Sequence, residues 1–368
     1  MNQQPPNTQA LPAGTRLEEF VIERVLGAGG FGITYLAKDT SLGRKVVIKE
    51  NLPAHCAFRD SVSGTVKARA LDAESISDFE WAIANFSREA STLAGLEHPN
   101  IAKVHRLFEC NRTAYFVMPY VEGVALDTAV EKRAAESRPF SREEILAIIR
   151  PMLDALTYLH GRQVFHRDIK PGNIILIDNG MPVLIDFGAA RHQLGEHSAT
   201  VIESPGYTPF EQLTSSAELG PTSDLYSLAA TFYRLITFER PPRSADRMLN
   251  DEMQTLAGNP DLLEYYDYAM LDVLDRALAI HPKSRPKSAQ DMLAALGGSK
   301  IPIPSSAVTA KRSPMEFAEK LAAKALELRD VGKLSEAATL MEEAARDWPD
   351  LRARYGRMIQ LWRKGIQM

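Results

Sequence analysis

The sequence predicts an α+β chain in two lobes, a strand-rich first third followed by a mostly helical half. Three observations carry this. Between residues 20 and 50, short β-branched and aromatic runs alternate with glycine and polar punctuation, as antiparallel hairpins do. After Gly123 the apolar residues recur at three- and four-residue steps, the period of amphipathic helices. The character changes near residue 120, so two lobes joined there form the natural architecture.

The elements follow in order. Residues 1–14 carry Pro5, Pro6 and Pro12 without periodicity and read as a flexible lead-in. Strands are expected at 20–22, 25–26, 33–37 and 46–48. Residues 51–78 are polar and irregular. A helical period then runs through Phe79, Ile83, Phe86, Ala90, Leu93 and Leu96, and His98-Pro99-Asn100 ends it. Strand-like runs at 101–108 and 114–118 close the first lobe. Helices are expected at 143–159, 224–237, 262–279 and 288–296. Gly297, Gly298, Pro302 and Pro304 mark a linker over 297–313, and a helical pair within 314–368 ends in a basic tail.

Composition narrows the function. The 368 residues are 45% hydrophobic and 24% charged, which excludes wholesale disorder. A net charge of −4 argues against a nucleic-acid partner, because such proteins carry basic excess. The two cysteines, Cys56 and Cys110, are too few for a disulfide framework or a zinc site and suit a reducing compartment. No apolar run is long enough to span a membrane, and the first ten residues lack the basic and apolar parts of a signal peptide. A cytoplasmic protein is expected.

Three signals point to phosphate chemistry. Gly27-Ala28-Gly29-Gly30-Phe31-Gly32 spaces its glycines G-x-G-x-x-G. That pattern alone fits a dinucleotide turn, a phosphate-covering loop or an ordinary hairpin. Residues 33–37 continue as a strand and not as the helix that a dinucleotide turn needs. Lys49 closes an apolar strand soon after. Such a lysine is commonly a solvent residue, but here it stands close enough to reach the same phosphates. The decisive signal is His166-Arg167-Asp168-Ile169-Lys170-Pro171-Gly172-Asn173, followed after two apolar runs by Asp186-Phe187-Gly188. Two acids and an asparagine at strand ends make a hard-oxygen set suited to Mg²⁺.

In this order the three signals resemble the eukaryotic-type protein kinase family, over about residues 16–296. The resemblance implies a bilobal kinase fold over 15–296, with an N-lobe at about 15–119 and a C-lobe at about 123–296. It implies that Gly27 to Gly32 cover ATP phosphates and that Lys49 holds them, paired with Glu89. It makes Asp168 the catalytic base, Lys170 a γ-phosphate contact, and Asn173 and Asp186 the metal ligands, with Mn²⁺ as the alternative to Mg²⁺. Thr34, Val47 and Ile175 would pack on the base, with Met118 as gatekeeper and Pro119, Tyr120 and Val121 as hinge. Asp224, Glu211 and Arg285 resemble fold-supporting residues, and Ser204 a structural hydroxyl beside the catalytic loop.

The sequence departs from the family pattern at Thr34 and Val47, which stand for valine and alanine, and at Thr208-Pro209-Phe210-Glu211, where Met-Ala-Pro-Glu is usual. The stretch from Lys49 to Glu89 is also longer than usual, and the excess is the insertion 51–78. Its Ile-Lys-Glu-x-x-Pro start and the Phe79-Glu80-Trp81 before the helix resemble a bacterial branch. Lys170 leans toward serine/threonine kinases. Arg167 beside the base implies control by a phosphate on 189–206, with Arg191 a second donor and Ser198 and Thr200 the candidate acceptors.

The helical tail resembles one tetratricopeptide unit at Ala325 to Leu328, Gly332, Glu336-Ala337, Ala344 and Pro349. One such unit is not stable alone, so it is expected to dock on the kinase, a second copy or a partner. Two other readings remain open here: an ATP-binding scaffold that presents this tail, and a small-molecule kinase, against which Lys170 counts.

Overall fold

The structure, a computed structural model, describes residues 9–187, 203–214, 219–297, the helical positions Leu326, Arg329, Leu334, Ala337, Ala338 and Met341, and residues 359–363. The chain divides into two compact units, 1–297 and 298–368.

The first unit opens with strands β1 (Arg16–Leu17), β2 (Phe20–Gly29), β3 (Gly32–Asp39) and β4 (Arg44–Asn51). A short hairpin, β5 (Ala57–Arg59) with β6 (Val66–Ala68), precedes helix α1 (Ala73–Ala94), and β7 (Arg106–Cys110) and β8 (Thr113–Pro119) follow. Six of these strands form one antiparallel sheet in the order β1-β2-β3-β4-β8-β7. The strand period of two explains β4. Val46, Ile48 and Glu50 are buried on one face, while Val47 and Lys49 lie half-buried on the other. Asp72 caps α1 by accepting the Ser75 N–H at 2.8 Å, and Phe86 on α1 meets Phe116 on β8 with ring centroids 4.9 Å apart.

The second lobe runs through β9 (Val124–Ala125), α2 (Leu126–Ala135), α3 (Arg142–His160), β10 (Ile174–Leu176), β11 (Pro182–Leu184) and α4 (Pro221–Thr237). It continues with α5 (Ser244–Leu249), α6 (Pro260–Leu263), α7 (Tyr268–Ala277) and α8 (Ala289–Gly297). Ser141 and Glu144 form a reciprocal capping box at the start of α3. Helix α4 is buried almost all round, as a central core helix must be. One apolar cluster fills the sheet lobe. A larger one fills the helical lobe and reaches Phe86, Leu93, Phe116 and Met118 at the cleft.

Several expectations are corrected. Residues 9–14, expected as flexible, pack on the sheet lobe: Leu11 is buried and its N–H donates to the Tyr35 hydroxyl at 3.1 Å. Residues 51–78 are not irregular, since they hold the β5–β6 hairpin and the first turns of α1. The helix expected at 262–279 is two, because Asp267 caps α7 by accepting the Met270 N–H and Tyr266 turns inward to donate to the Phe140 carbonyl at 2.6 Å. The strand expected at 101–108 begins only at Arg106. Ile101 instead bridges to Leu184 in the second lobe.

Within the second unit, Leu334, Ala337, Ala338 and Met341 fall on one helical face, and the last three are buried, as are Ile359 and Trp362 on a helical stretch at 359–363. The rest of the expected linker and hairpin lies outside the described residues. Among the described residues, no helix is long and apolar enough to cross a membrane.

Candidate active site

The roof of the cleft is the β2–β3 hairpin. Gly29 pairs with Gly32, so Gly30 and Phe31 are its two-residue turn. At Gly27 and Gly29 an added Cβ would meet no protein atom within 4 Å, so both glycines leave open space. Gly32 is different, because a Cβ there would collide with the Glu50 carbonyl oxygen of β4. Beneath the hairpin, the Lys49 ammonium pairs with the Asp186 carboxylate and lies 5.7 Å from the Phe116 ring centroid. A cavity of about 270 Å³ runs between them. Its lining includes Gly27 to Gly32, Thr34, Lys49, Glu89 and Asp186.

The floor is the loop after α3. Arg167 and Asp186 both have left-handed backbones, at φ 65° and 59°. For non-glycine residues this costs on the order of 1–3 kcal/mol each and persists only where the surroundings impose it. Asp224 on α4 imposes the first. Its carboxylate accepts from the backbone N–H of His166 at 3.0 Å and of Arg167 at 2.8 Å, and from the His160 ring at 2.9 Å. Burial alone would raise the Asp224 pKa, but these donors hold it below the ordinary carboxylate value. Burial pushes the His166 imidazole below its usual value. The Asp168 N–H donates to the His166 Nδ1 at 3.3 Å, so the His166 Nε2 donates to the Ile185 carbonyl at 3.1 Å, and the imidazole ring lies 4.5 Å from that of Phe187.

Around Asp168 the polar groups converge. Ser204 Oγ donates to Oδ1 at 2.9 Å, while Lys170 Nζ at 2.8 Å and Asn173 Nδ2 at 3.0 Å donate to Oδ2. Lys170 also reaches Ser204 Oγ at 3.2 Å. The Asn173 amide nitrogen is thus spent on Asp168, which leaves its carbonyl oxygen for another partner. That oxygen and the Asp186 carboxylate, here paired with Lys49, are the groups that could hold a small divalent cation.

The cavity lining does not extend to Val47, Met118, Pro119, Tyr120, Val121 or Ile175, the candidates for holding the base. Val47 and Met118 face each other across β4 and β8, and the Tyr120 N–H donates to the Lys45 carbonyl at 3.4 Å. Ile175 pairs with Val183 and Ala125 in the small sheet β11-β10-β9. Arg167 is half-buried and its Nε has no hydrogen-bond partner among the described residues. Arg191, Ser198 and Thr200 lie outside those residues. Sequence reasoning passed over Phe86, Phe116 and Phe187 as lining residues. A signal existed for the first, since Phe86 sits three residues before Glu89 and shares its helix face. It also passed over Gln212, whose side-chain amide donates to the Arg167 carbonyl at 2.9 Å. Glu211 and Arg285 pair where expected, buried, at 2.5 and 3.1 Å.

Residues 20–295 match the family model described as protein kinase domain. The chain is 33% identical over 292 residues to the serine/threonine-protein kinase PknA of Nostoc sp., covering 74% of this chain and 46% of that protein. It is likewise 33% identical over 296 residues to the serine/threonine-protein kinase D of Synechocystis sp., covering 76% and 52%. The chain thus spans about half the length of these curated relatives. Among solved structures, the apo form of PpkA-294 superposes with a TM-score of 0.67 at 33% identity, covering 78% of this chain and 99% of that one. The kinase domain of Mycobacterium tuberculosis PknI superposes with a TM-score of 0.56 at 26% identity, covering 78% and 98%.

Proposed function

The chain belongs to the protein kinase domain family, and from that premise we propose that it transfers the γ-phosphoryl group of ATP to serine or threonine hydroxyls of proteins. The observation that carries this is the convergence of Lys170, Asn173 and Ser204 on Asp168, across a cleft from the Lys49–Asp186 pair.

In this reading Asp168 orients the acceptor hydroxyl and takes its proton as the new P–O bond forms and the bond to the ADP oxygen breaks. Lys170, already beside Asp168, meets the charge that spreads over the transferred group, and Lys49 holds the α- and β-phosphates once nucleotide draws it from Asp186. Catalysis here is chiefly positioning and electrostatics. Asn173 and Asp186 would hold Mg²⁺, or Mn²⁺ in its place, which neutralises phosphate charge when bound. Gly27 to Gly32 would cover the phosphates, and the hinge 119–121 would hold the base.

Control belongs to the same proposal. Arg167 has a buried Nε without a hydrogen-bond partner among the described residues, and an autophosphorylated Ser198 or Thr200, with Arg191 assisting, would give it an acceptor beyond the Asp224 and Glu89 charges it already faces. The tail 314–368 would form a tetratricopeptide-like hairpin for a docking partner or a second copy, and the protein would act in the cytoplasm.

The test is transfer of labelled phosphate from Mg-ATP to myelin basic protein and to the chain itself, with phosphosites read by mass spectrometry. Asp168→Asn and Lys49→Met should each abolish transfer and leave the melting temperature within a few degrees of the parent. An inactive parent, or variants that lose activity only by unfolding, would overturn the assignment.

A further inference from the structure

The insertion after Lys49 reaches back to the tip of the glycine hairpin. Strand β4 runs two residues past Lys49, and its last residue, Asn51, pairs with Gly32. Beyond the strand, the Leu52 N–H donates to the Phe31 carbonyl at 3.1 Å and the Ala54 N–H donates to the Gly30 carbonyl at 2.8 Å. Gly30 and Phe31 are the turn itself. The two residues that would otherwise move most freely over the phosphates are therefore each tied to residues 52–54.

The other end of this tie is rigid. The Pro53 carbonyl accepts from Cys56 and Ala57, closing a turn, and Arg69 Nε donates to the Ala54 carbonyl at 2.6 Å. From β5, Arg59 pairs with Glu50, whose buried carboxylate also accepts from the hydroxyls of Tyr35 at 2.7 Å and Tyr115. Residue 9 joins in, since Arg59 Nε donates to the Gln9 carbonyl at 2.8 Å. Leu52, Pro53, Cys56 and Ala57 are buried, whereas Ala54 is exposed. Ala54 is thus exposed yet held at both its N–H and its carbonyl.

We propose that residues 51–69 are a positioning brace that holds the glycine hairpin closed over the nucleotide phosphates before nucleotide arrives. The physical gain is preorganisation. A hairpin that samples open states binds only with its closed fraction, and a tether raises that fraction. The inference rests on the ATP reading above for its functional consequence, but the tether stands on geometry alone.

Ala54→Pro tests it in the full chain. Ala54 is the second residue of the turn Pro53–Cys56, a position that proline takes readily; proline there removes the donor to Gly30, and its ring Cδ takes the place of the N–H, so the Gly30 carbonyl must also move away. Losing one net backbone hydrogen bond of about 1 kcal/mol lowers the closed-to-open ratio at least about fivefold, so Mg-AMP-PNP should bind about two- to fivefold more weakly, as the closed fraction falls, and KM for ATP should rise alike with kcat unchanged. Adenosine, which has no phosphates for the hairpin to cover, should bind as it does to the parent. Ala54→Ser, which keeps the N–H, should match the parent throughout. Equal loss for adenosine and Mg-AMP-PNP, or no loss for either, would overturn the brace. Amide hydrogen exchange on the parent provides a readout independent of any variant's folding: the Ala54 amide should be protected despite its exposure, and fast exchange there would equally overturn the proposal. A parent that binds no nucleotide would instead strike the kinase reading, with the exchange result still deciding the tether.

Discussion

Replacing Arg285 by methionine isolates the cost of a buried carboxylate left without its partner. Arg285 is buried, with its guanidinium bonded to Glu211, to the carbonyls of Ala279 and Ile280 at 2.7 Å each and to that of Thr222 at 3.1 Å, and lying over the Tyr226 ring. Methionine fills similar volume but supplies no donor. Among the described residues, the Glu211 carboxylate would keep only the Ser223 hydroxyl as a donor, at 2.8 Å. Breaking a buried pair from one side costs about 3–5 kcal/mol, and at about 2–4 °C per kcal/mol for a domain of this size the melting temperature should fall by roughly 10 °C. The double variant Glu211→Gln with Arg285→Met removes the stranded charge and should regain part of that loss. It should not regain all of it, because the three carbonyls stay without their donor. Thermal unfolding followed by near-ultraviolet circular dichroism reads both variants. A single variant within about 1 kcal/mol of the parent, or a double variant no more stable than the single, would refute this account of the pair.

Three further outcomes follow from the site and the tail. Ser198→Ala combined with Thr200→Ala should slow substrate phosphorylation, because Arg167 would lose its incoming phosphate; initial rates equal to the parent's would dismiss that control. Stability should fall as pH drops below about 6.5, because burial holds His166 below the ordinary imidazole value and only the unfolded chain then takes up the proton. His55 and His105 are depressed with the same sign. Urea midpoints at pH 7.5 and 5.5 measure the slope, His166→Gln should flatten it, and an unchanged slope in that variant would contradict the assignment. A chain ending at Gly298 should keep phosphoryl transfer yet lose stability, self-association or substrate docking. A match to the full chain in melting temperature, mass and activity toward its native substrate would leave the tail without a role.

What the sequence determined by itself was the local chemistry. The glycine spacing, Lys49, the run from His166 to Asn173 and the Asp186-Phe187 pair are read from neighbouring letters, and the strands around them from a period of two. Long periodic helices such as α3 and α4 were legible for the same reason. Short or weakly patterned ones were not: α2 buries only Leu126 and Val130, too few apolar positions to show a period, and α5 spans a single stretch of six residues. Only the tertiary structure decided which distant groups meet. The donors to Phe31 and Gly30 are backbone N–H groups, which every residue but proline carries, so no side-chain letter announces them. The pairing of Glu50 with Arg59 exists only because the β5–β6 hairpin folds one over the other, and Leu11 reads as part of a flexible lead-in until the sheet lobe covers it. Periodicity reports which way a side chain faces along its own element. The identity of the element that covers it is set by chain closure over tens of residues, and that is a property of the whole fold.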